Sequence, residues 1–301
     1  MSLLVTGSIG IDTVDSPFGS AADVLGGSAV YFSYAAVQYT PVRLVGVVGE
    51  DFPIEHHDVL KARDIDLAGL EVRKGSKTFR WHGKYLDDIN ERETMSVELN
   101  VLEEEGATVP TAYADSKVVF LANTHPELQK KMITQVTSPQ TIVLDTMDLW
   151  ISSARDSLID VFKHVHGVII NDGEARQLTG QRDLIKAAES MLAMGPRFLV
   201  IKKGEHGAML FTGEGPVVLP AFPTPHVKDP TGAGDSFAGG MLGYIAAEGR
   251  DDAETLRRAM VRGIVVASFT IEDFSLRRLE TLNKDALNAR VDQFLSMMNV
   301  S

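Results

Sequence analysis

Short apolar runs alternate along the chain with stretches of helical periodicity. The run at 42–48 is rich in β-branched residues, which is typical of a buried strand. The pattern predicts strands at residues 3–6, 42–48, 117–121, 141–144, 167–170 and 198–201. It predicts helices at residues 29–39, 53–63, 126–136, 152–163, 183–194, 233–248, 252–270 and 283–298. Strands that alternate with helices indicate an α/β fold, with a mostly parallel central sheet and helices on both of its faces.

One region, residues 70–101, lacks a helical period. There Phe79, Trp81 and Tyr85 recur at strand spacing, so they would share one face of a strand. Residues 93–97 form a second candidate strand. The pattern fits a sheet with one buried face. It equally fits a small β-lid over a binding site, with its aromatic face turned to a substrate or to a second lid.

Composition narrows the function classes. The chain has 301 residues, of which 44% are hydrophobic and 23% are charged, and these values are ordinary for a globular protein. No apolar run is long enough to span a bilayer, and no basic region opens the N-terminus as in a signal peptide. Cysteine is absent, which excludes disulfides and thiolate metal sites. From these absences we expect a cytoplasmic protein without a membrane partner, and the net charge of −12 argues against a nucleic-acid partner.

The most informative segment spans residues 229–240, where small residues lead into an apolar helical pattern. A loop of Gly232, Ala233 and Gly234 at a helix start would expose backbone N–H groups to an anion, and the helix dipole would help to bind it. The next residue, Asp235, would place a carboxylate beside that anion, which is electrostatically unfavourable. Removal of a proton from an attacking hydroxyl would explain its presence. A helix cap is the alternative interpretation.

The segment at 229–240 resembles the C-terminal signature of the ribokinase/PfkB carbohydrate kinase family, and the similarity runs from Gly7 to the last predicted helix. The resemblance implies a ribokinase-like fold with a small β-lid. It implies transfer of the γ-phosphoryl group of ATP to a hydroxyl of a sugar or sugar-like small molecule, with Asp235 as the catalytic base and the preceding loop as the anion site. It also implies Mg²⁺, and some members of the family bind a monovalent cation.

The β-lid of this family is built from insertions. We therefore assign residues 12–24 and 70–101 to the lid, and residues 1–11, 25–69 and 102–301 to the α/β kinase domain. A lid would exclude water, which would otherwise compete with the acceptor for the phosphoryl group. Because exposed lid strands invite pairing, a homodimer through the lid is a further prediction.

Four residues are candidates for binding the acceptor. Asp12 follows the first strand, and its carboxylate can accept hydrogen bonds from two neighbouring hydroxyls. Gly26 and Gly27 precede a helix and allow the backbone to approach a ligand. Asn123 follows a strand at the carboxyl edge of the sheet, where ligands bind. Each residue could instead serve only a turn; the resemblance favours acceptor binding for the first three and leaves Asn123 open.

Two positions depart from the family pattern. Tyr31 stands where the family commonly has Asn, and Ser28 stands where ribokinases often have Lys. These departures weaken the expectation of ribose as the acceptor. The alternatives are a nucleoside kinase on the same fold, in which the aromatic lid would stack a base, and a non-catalytic ligand-binding protein that retains the fold.

The nucleotide is predicted to lie near two further segments. In the family, a turn with the spacing of Gly204 and Gly207 borders the ATP site, and the helix that contains Ala267 ends near the adenine. The neighbouring Lys202 or Lys203 would bring positive charge to the phosphates. A solvated turn and small-residue helix packing are the structural alternatives.

Asn171 and Glu174 follow the predicted strand at 167–170. A capping box at the start of the next helix explains both residues without a ligand. The family has an Asn-x-x-Glu motif with this spacing, and the resemblance implies that the pair would hold Mg²⁺ through water.

Overall fold

Strands and helices alternate along most of the chain, of which the computed structural model describes residues 1–299. Within that range the strands are β1 (Leu3–Thr6), β2 (Gly10–Ser16), β3 (Gly19–Gly26), β4 (Val42–Gly49), β5 (Ile65–Arg73), β6 (Phe79–Tyr85), β7 (Arg92–Glu98), β8 (Val118–Leu121), β9 (Thr141–Asp145), β10 (Gly167–Asn171), β11 (Phe198–Lys202), β12 (Ala208–Thr212) and β13 (Gly215–Leu219).

The helices of the same range are α1 (Ser28–Ala36), α2 (Ile54–Lys61), α3 (Pro126–Ile133), α4 (Asp148–Ser153), α5 (Arg155–Phe162), α6 (Asp172–Thr179), α7 (Leu184–Leu192), α8 (Ala233–Glu248), α9 (Ala253–Thr270), α10 (Arg277–Glu280) and α11 (Lys284–Met297). Short 3-10 helices cover Asn100–Glu103, Thr111–Tyr113 and Gly204–His206. None of the helices in this part of the chain is both long enough and apolar enough to cross a membrane.

The larger of two sheets contains nine of the described strands, in the order β13-β12-β11-β10-β9-β8-β1-β4-β5. The strands from β5 to β11 in that order are all parallel to their neighbours. The hairpin of β12 and β13 adds two antiparallel strands at one edge. Because the parallel strands all end on the same side, the residues that follow β1, β8, β9, β10 and β11 meet at one edge of the sheet.

The larger sheet is covered by helices on both faces. In β1, Leu3 and Val5 pack with residues of α1, α8, α9 and α11, whereas Leu4 packs with residues of α3 to α7 on the opposite face. All three side chains are fully buried. Burial of one such side chain contributes about 1.5–3 kcal/mol. The predicted α/β architecture, a mostly parallel sheet with helices on both faces, is therefore confirmed.

The small sheet has the order β3-β2-β6-β7. Its strand β6 runs parallel to β2 and antiparallel to β7. Trp81 and Tyr85 of β6 pack in one apolar cluster with Val14 and with Phe274 from the segment after α9, so this aromatic face is turned towards the α/β part of the chain. β7 is exposed along its whole length and forms a free edge.

The structure differs from the predicted elements in several places. β5 continues to Arg73 within the larger sheet, so residues 70–73 do not belong to the small sheet as expected. The helix expected at 152–163 is divided into α4 and α5 at Ala154, which has φ −138° and ψ 34°. The hydroxyls of Ser152 and Ser153 bond back to carbonyls four residues earlier, a pattern that often bends helices. The strands β5, β12 and β13 and the helix α10 were not predicted, whereas the capping box at Asn171 and Glu174 did anticipate the start of α6.

Candidate active site

Residues 232–235, which we call the cradle, form a sharp turn at the start of α8. Gly232 has the left-handed backbone conformation, with φ 73°. The N–H of Ala233 donates to the carbonyl of Pro230 at 3.1 Å. It is therefore used within the turn, and the prediction that it would be exposed to an anion is wrong. The N–H groups of Gly234 and Asp235 have no backbone acceptor among the described residues. With the helix dipole, these two groups can donate hydrogen bonds to an anion.

Tyr31 and Asp229 hold the cradle in place. The ring of Tyr31 is 1% exposed, and it lies so close to Gly232 that a Cβ there would come within 2.2 Å of it. Asp229 is also buried, and its two carboxylate oxygens accept hydrogen bonds from the N–H groups of Thr231 at 2.9 Å and Ser275 at 3.3 Å. Packing from α1 and a buried carboxylate therefore fix the cradle from two sides.

Asp235 is partly buried in the first turn of α8. Burial is the main cause that raises its pKa to about 7, and the negative charge of Asp145 adds to it. The positive charges of Lys202 and Arg92 oppose this rise. A carboxylate whose pKa lies near neutrality is suited to accept and release a proton, which is what a general base needs.

Asp12 lies in β2 and is 4% exposed. Its oxygen Oδ1 has no hydrogen-bond partner among the described residues. The pKa of Asp12 is raised to about 7, chiefly by burial and also by the charges of Asp229 and Asp235. A hydrogen bond from the backbone of Gly27 lowers this pKa but does not offset the rise. A Cβ on Gly26 would come within 1.9 Å of the other carboxylate oxygen, so only glycine leaves room for it. The structure thus brings Asp12, Gly26 and Gly27 together near Asp235.

Asn123 lies just beyond β8, as predicted, but its amide already has partners. Its oxygen accepts a hydrogen bond from the indole N–H of Trp150 at 2.9 Å, and its nitrogen lies 3.0 Å from the sulfur of Met147. The ring of His125 packs edge-on against Trp150. These contacts give Asn123 a structural role other than the turn that was the alternative, because its amide orients Trp150.

A cavity of about 730 Å³ lies beside the cradle. A cavity of this size accommodates a small-molecule ligand. Two cradle residues, Ala233 and Gly234, form part of its wall. Its wall also contains all four residues predicted to bind the nucleotide, namely Lys202, Gly204, Gly207 and Ala267. Of the two lysines that the sequence left open, Lys202 therefore belongs to the site.

The side chain of Lys202 reaches the cradle. Its Nζ lies 3.5 Å from Oδ2 of Asp145, and a Cβ on Gly234 would come within 2.8 Å of it. Burial alone would lower the pKa of Lys202, but the negative charges of Asp145, Glu174 and Asp235 raise it above its usual value. Lys202 is therefore a permanent positive charge between the cavity and the cradle.

Asn171 and Glu174 form the capping box at the start of α6. The N–H of Glu174 donates to Oδ1 of Asn171 at 2.8 Å, and the N–H of Asn171 donates to Oε2 of Glu174 at 2.9 Å. Burial, and then the charge of Asp145, raise the pKa of Glu174 to about 7. The structural interpretation of the pair is thus satisfied, while Oε1 of Glu174 takes no part in the cap.

The small sheet contacts both the cradle and the cavity. At the end of β6, the hydroxyl of Tyr85 accepts a hydrogen bond from the hydroxyl of Thr231 at 3.1 Å. In the turn between β6 and β7, the amide of Asn90 donates to Glu205 at 3.4 Å, and Ile89 and Asn90 form part of the cavity wall. The small sheet therefore borders the site where a lid was expected.

The sequence analysis missed two charged residues of this site, Asp145 and Arg92. Asp145 ends β9 and lies next to the predicted strand at 141–144, so the carboxyl-edge argument that selected Asn123 would have found it. Arg92 has no comparable local signal. Its position near the site depends on the register of β6 and β7, in which Arg92 pairs with Tyr85.

The fold and the site together define an α/β kinase of the ribokinase type, with a nucleotide-sized cavity that ends at a helix N-terminus and an acid beyond it. The chain belongs to the pfkB family of carbohydrate kinases, whose family model matches residues 24–281. The predicted enzyme class is thereby confirmed: the protein is an ATP-dependent phosphotransferase with an alcohol group as acceptor.

One relative supports the same assignment, and two solved structures support the fold. The cytidine kinase of Thermococcus kodakarensis is 32% identical over 270 residues, which are 87% of this chain and 94% of that protein. The structure of a nucleoside kinase of Burkholderia thailandensis in complex with inosine is similar with a TM-score of 0.77 at 19% identity, over 98% of this chain and 99% of that one. An E. coli protein described as a ribokinase II, in complex with ATP and Mg²⁺, has a TM-score of 0.78 at 18% identity, over 97% and 99%.

Proposed function

We propose that this protein is a nucleoside kinase, which transfers the γ-phosphoryl group of ATP to a hydroxyl of a ribonucleoside. The position of Asp235 carries the proposal. It directly follows Ala233 and Gly234, which line the cavity, and its charge contributes to the raised pKa of Asp12. An acceptor bound to Asp12 would present its hydroxyl to Asp235, with the phosphates of ATP on the side of the cavity.

Two observations favour a nucleoside over a free sugar. The relative that matches 87% of the chain at 32% identity is a cytidine kinase. In addition, β6 turns Trp81 towards the α/β part of the chain, and this half-buried ring offers a surface on which a base can stack. The ribose hydroxyls would meet Oδ1 of Asp12, which is buried and lacks a partner within residues 1–299.

The reaction uses groups that already surround the cradle. Asp235 takes the proton of the acceptor hydroxyl as the oxygen–phosphorus bond forms, and the bond from the γ-phosphorus to the oxygen of ADP breaks. The N–H groups of Gly234 and Asp235 donate hydrogen bonds to the migrating phosphoryl group, and Lys202 neutralises part of its charge. Each of these interactions strengthens as negative charge develops in the transition state.

The acidic groups near Lys202 fit a Mg²⁺ ion that accompanies the phosphates. Carboxylate oxygens are hard ligands, and a bound cation would offset the burial and the charge of Asp145 that raise the pKa of Glu174 to about 7. Glu174 would hold the ion through water by Oε1, and Asn171 would orient Glu174 through the cap. When bound, Mg²⁺ neutralises phosphate oxygens. A monovalent cation beside Asp229 stays a prediction. Both oxygens of that carboxylate already accept hydrogen bonds from backbone N–H groups.

We expect Glu174→Gln to raise the Mg²⁺ concentration for half-maximal activity by about tenfold or more, the usual loss when a metal-orienting group is changed. Glutamine preserves the capping hydrogen bond, so the fold should persist. The exposed Glu189 of α7 offers a matched control, Glu189→Gln, which should leave the titration unchanged. Equal Mg²⁺ requirements of Glu174→Gln and the unmodified protein would contradict the assignment.

A screen of acceptors tests the proposed function. The purified protein is incubated with ATP, Mg²⁺ and either a nucleoside (cytidine, uridine, adenosine, inosine) or a sugar (ribose, fructose), and ADP and the phosphorylated product are measured. Asp235→Asn, purified in the same way, controls for contaminating kinases. Phosphorylation of sugars alone would support a sugar kinase instead. Binding of ATP without phosphorylation of any acceptor would support the non-catalytic alternative.

A second copy of the chain is proposed as a further partner. β7 presents a free edge, and its residues Met95 and Val97 are more than half exposed (54% and 52%), which favours pairing through the small sheet. Light scattering should give twice the mass of the chain, and a single-chain mass at micromolar concentration would exclude this dimer. The cytoplasmic location also stays a prediction, which cell fractionation can test.

A further inference from the structure

Acidic side chains outnumber basic ones around Asp235. The carboxylates whose charges act on the site are Asp12, Asp145, Glu174, Asp229 and Asp235. The pKa values of Asp12, Glu174 and Asp235 are each raised to about 7, chiefly by burial. A phosphoryl group that enters this space brings more negative charge, so its transfer requires positive charge that is free to bind it.

Of the two cations that act on Asp235, Lys202 is already paired. Its Nζ lies 3.5 Å from Asp145 in a largely buried position. The second cation, Arg92, is exposed at the start of β7 and pairs with no carboxylate in the described part of the chain. Its guanidinium carbon lies 5.7 Å from the centroid of the Trp81 ring. Arg92 also interacts with the hydroxyl of Tyr85, but no carboxylate of the described residues neutralises it, so its positive charge remains available for a ligand.

The register of the small sheet places Arg92 close to the cradle. Arg92 lies directly opposite Tyr85 in the pairing of β6 with β7. The hydroxyl of Tyr85 accepts a hydrogen bond from Thr231, the residue before Gly232. The backbone of Arg92 is thus one strand away from a residue that touches the cradle loop. The charge of Arg92 also acts on Asp235, because it opposes the rise of the Asp235 pKa.

We propose that Arg92 is a further catalytic residue, whose guanidinium binds the non-bridging oxygens of the phosphoryl group while it passes from ATP to the acceptor. The planar guanidinium presents paired N–H donors that match phosphate oxygens, which a lysine cannot do in the same geometry. Arg92 keeps its proton throughout, because the proton of the acceptor goes to Asp235. This inference rests on the proposed kinase function and adds to it a contact from the small sheet.

The test compares Arg92→Gln and Arg92→Lys with a control on the same sheet. Lys84→Gln also removes one exposed positive charge, from β6. Because Lys84 is the neighbour of Tyr85 in sequence, its side chain lies on the other face of the strand. We expect Arg92→Gln to lower kcat by about a hundredfold, as for loss of one transition-state donor, with the acceptor KM changed much less. Arg92→Lys should be intermediate, and Lys84→Gln should match the unmodified protein.

Two further readouts distinguish catalysis from a structural role. In Arg92→Gln, the acidic limb of the pH profile of kcat/KM should move to higher pH, because Arg92 lowers the pKa of Asp235. The affinity for ADP with aluminium fluoride, a mimic of the migrating phosphoryl group, should fall about tenfold or more, while the affinity for ADP alone is preserved. A kcat within threefold of the unmodified value, or a loss confined to the acceptor KM, would overturn the proposal.

The same experiments separate this inference from the proposed function. If the unmodified protein phosphorylates none of the acceptors, the proposed nucleoside kinase function fails. The ADP–aluminium fluoride titration still decides whether Arg92 contacts the phosphoryl position. If the unmodified protein is active and Arg92→Gln is equally active, only the role of Arg92 fails.

Discussion

Replacement of Asp235 by asparagine should lower kcat by about a hundredfold or more while the affinity for ATP changes little. The carboxylate is the group that accepts the proton of the acceptor hydroxyl, and general bases contribute rate factors of about 10²–10⁴. Asparagine has nearly the same shape, and the side chain of Asp235 makes no capping hydrogen bond at the start of α8, so the cavity wall at Ala233 and Gly234 should persist. Steady-state kinetics and an ATP titration measure the two effects separately.

The pH profile checks the same role independently. Asp235 can accept a proton only when it is ionised, and its pKa is raised to about 7 by burial and by the charge of Asp145. The value of kcat/KM should therefore rise with pH through about 7 and fall as pH drops below that value. Asp292→Asn, the same chemical change at an exposed position of α11, should leave kcat unchanged. Near-normal turnover of Asp235→Asn would show that another group removes the proton.

Local sequence patterns were sufficient where an element is buried on both faces. β1 is a continuous apolar run because helices cover it on two sides, and α8 begins at the residue that its glycine signature marks. β5 was missed because it lies at the edge of the larger sheet, where only Ile65 and Gly69 are buried and exposed residues interrupt the apolar pattern. The interior strands of the sheet could thus be predicted from the sequence, but the edge strands could not.

Site residues were predictable when their role depends on their own segment. Asp235 belongs to a contiguous signature, and the spacing of Asn171 and Glu174 fits a local cap. The partners of other site residues are distant in sequence. Trp150, which donates a hydrogen bond to Asn123, follows it by 27 residues, and Lys202 follows Asp145 by 57. Only the folded sheet brings these pairs together, so hydrophobic periodicity and residue spacing could not identify them.

A single methyl group added at Gly232 should lower the activity as much as the loss of the Asp235 carboxylate. Gly232→Ala should lower kcat by about a hundredfold and also reduce the free energy of unfolding. Its φ of 73° is unfavourable for alanine by about 1–2 kcal/mol. The new Cβ would also lie 2.2–2.5 Å from ring atoms of Tyr31, which is 1% exposed and has no room to retreat, and such overpacking costs about 1–3 kcal/mol. The loop must therefore shift and carry the N–H groups of Gly234 and Asp235 with it.

Gly180 provides the matched control for this prediction. It caps the end of α6 with φ 70°, nearly the same conformation, but a Cβ there would meet nothing within 4 Å. Gly180→Ala should therefore show only the conformational cost and normal turnover, and the additional loss in Gly232→Ala measures the contact with Tyr31. Thermal unfolding and kinetics of the two variants separate these contributions. If Gly232→Ala were no less stable and no less active than Gly180→Ala, the packing of Tyr31 against Gly232 would not be what fixes the cradle.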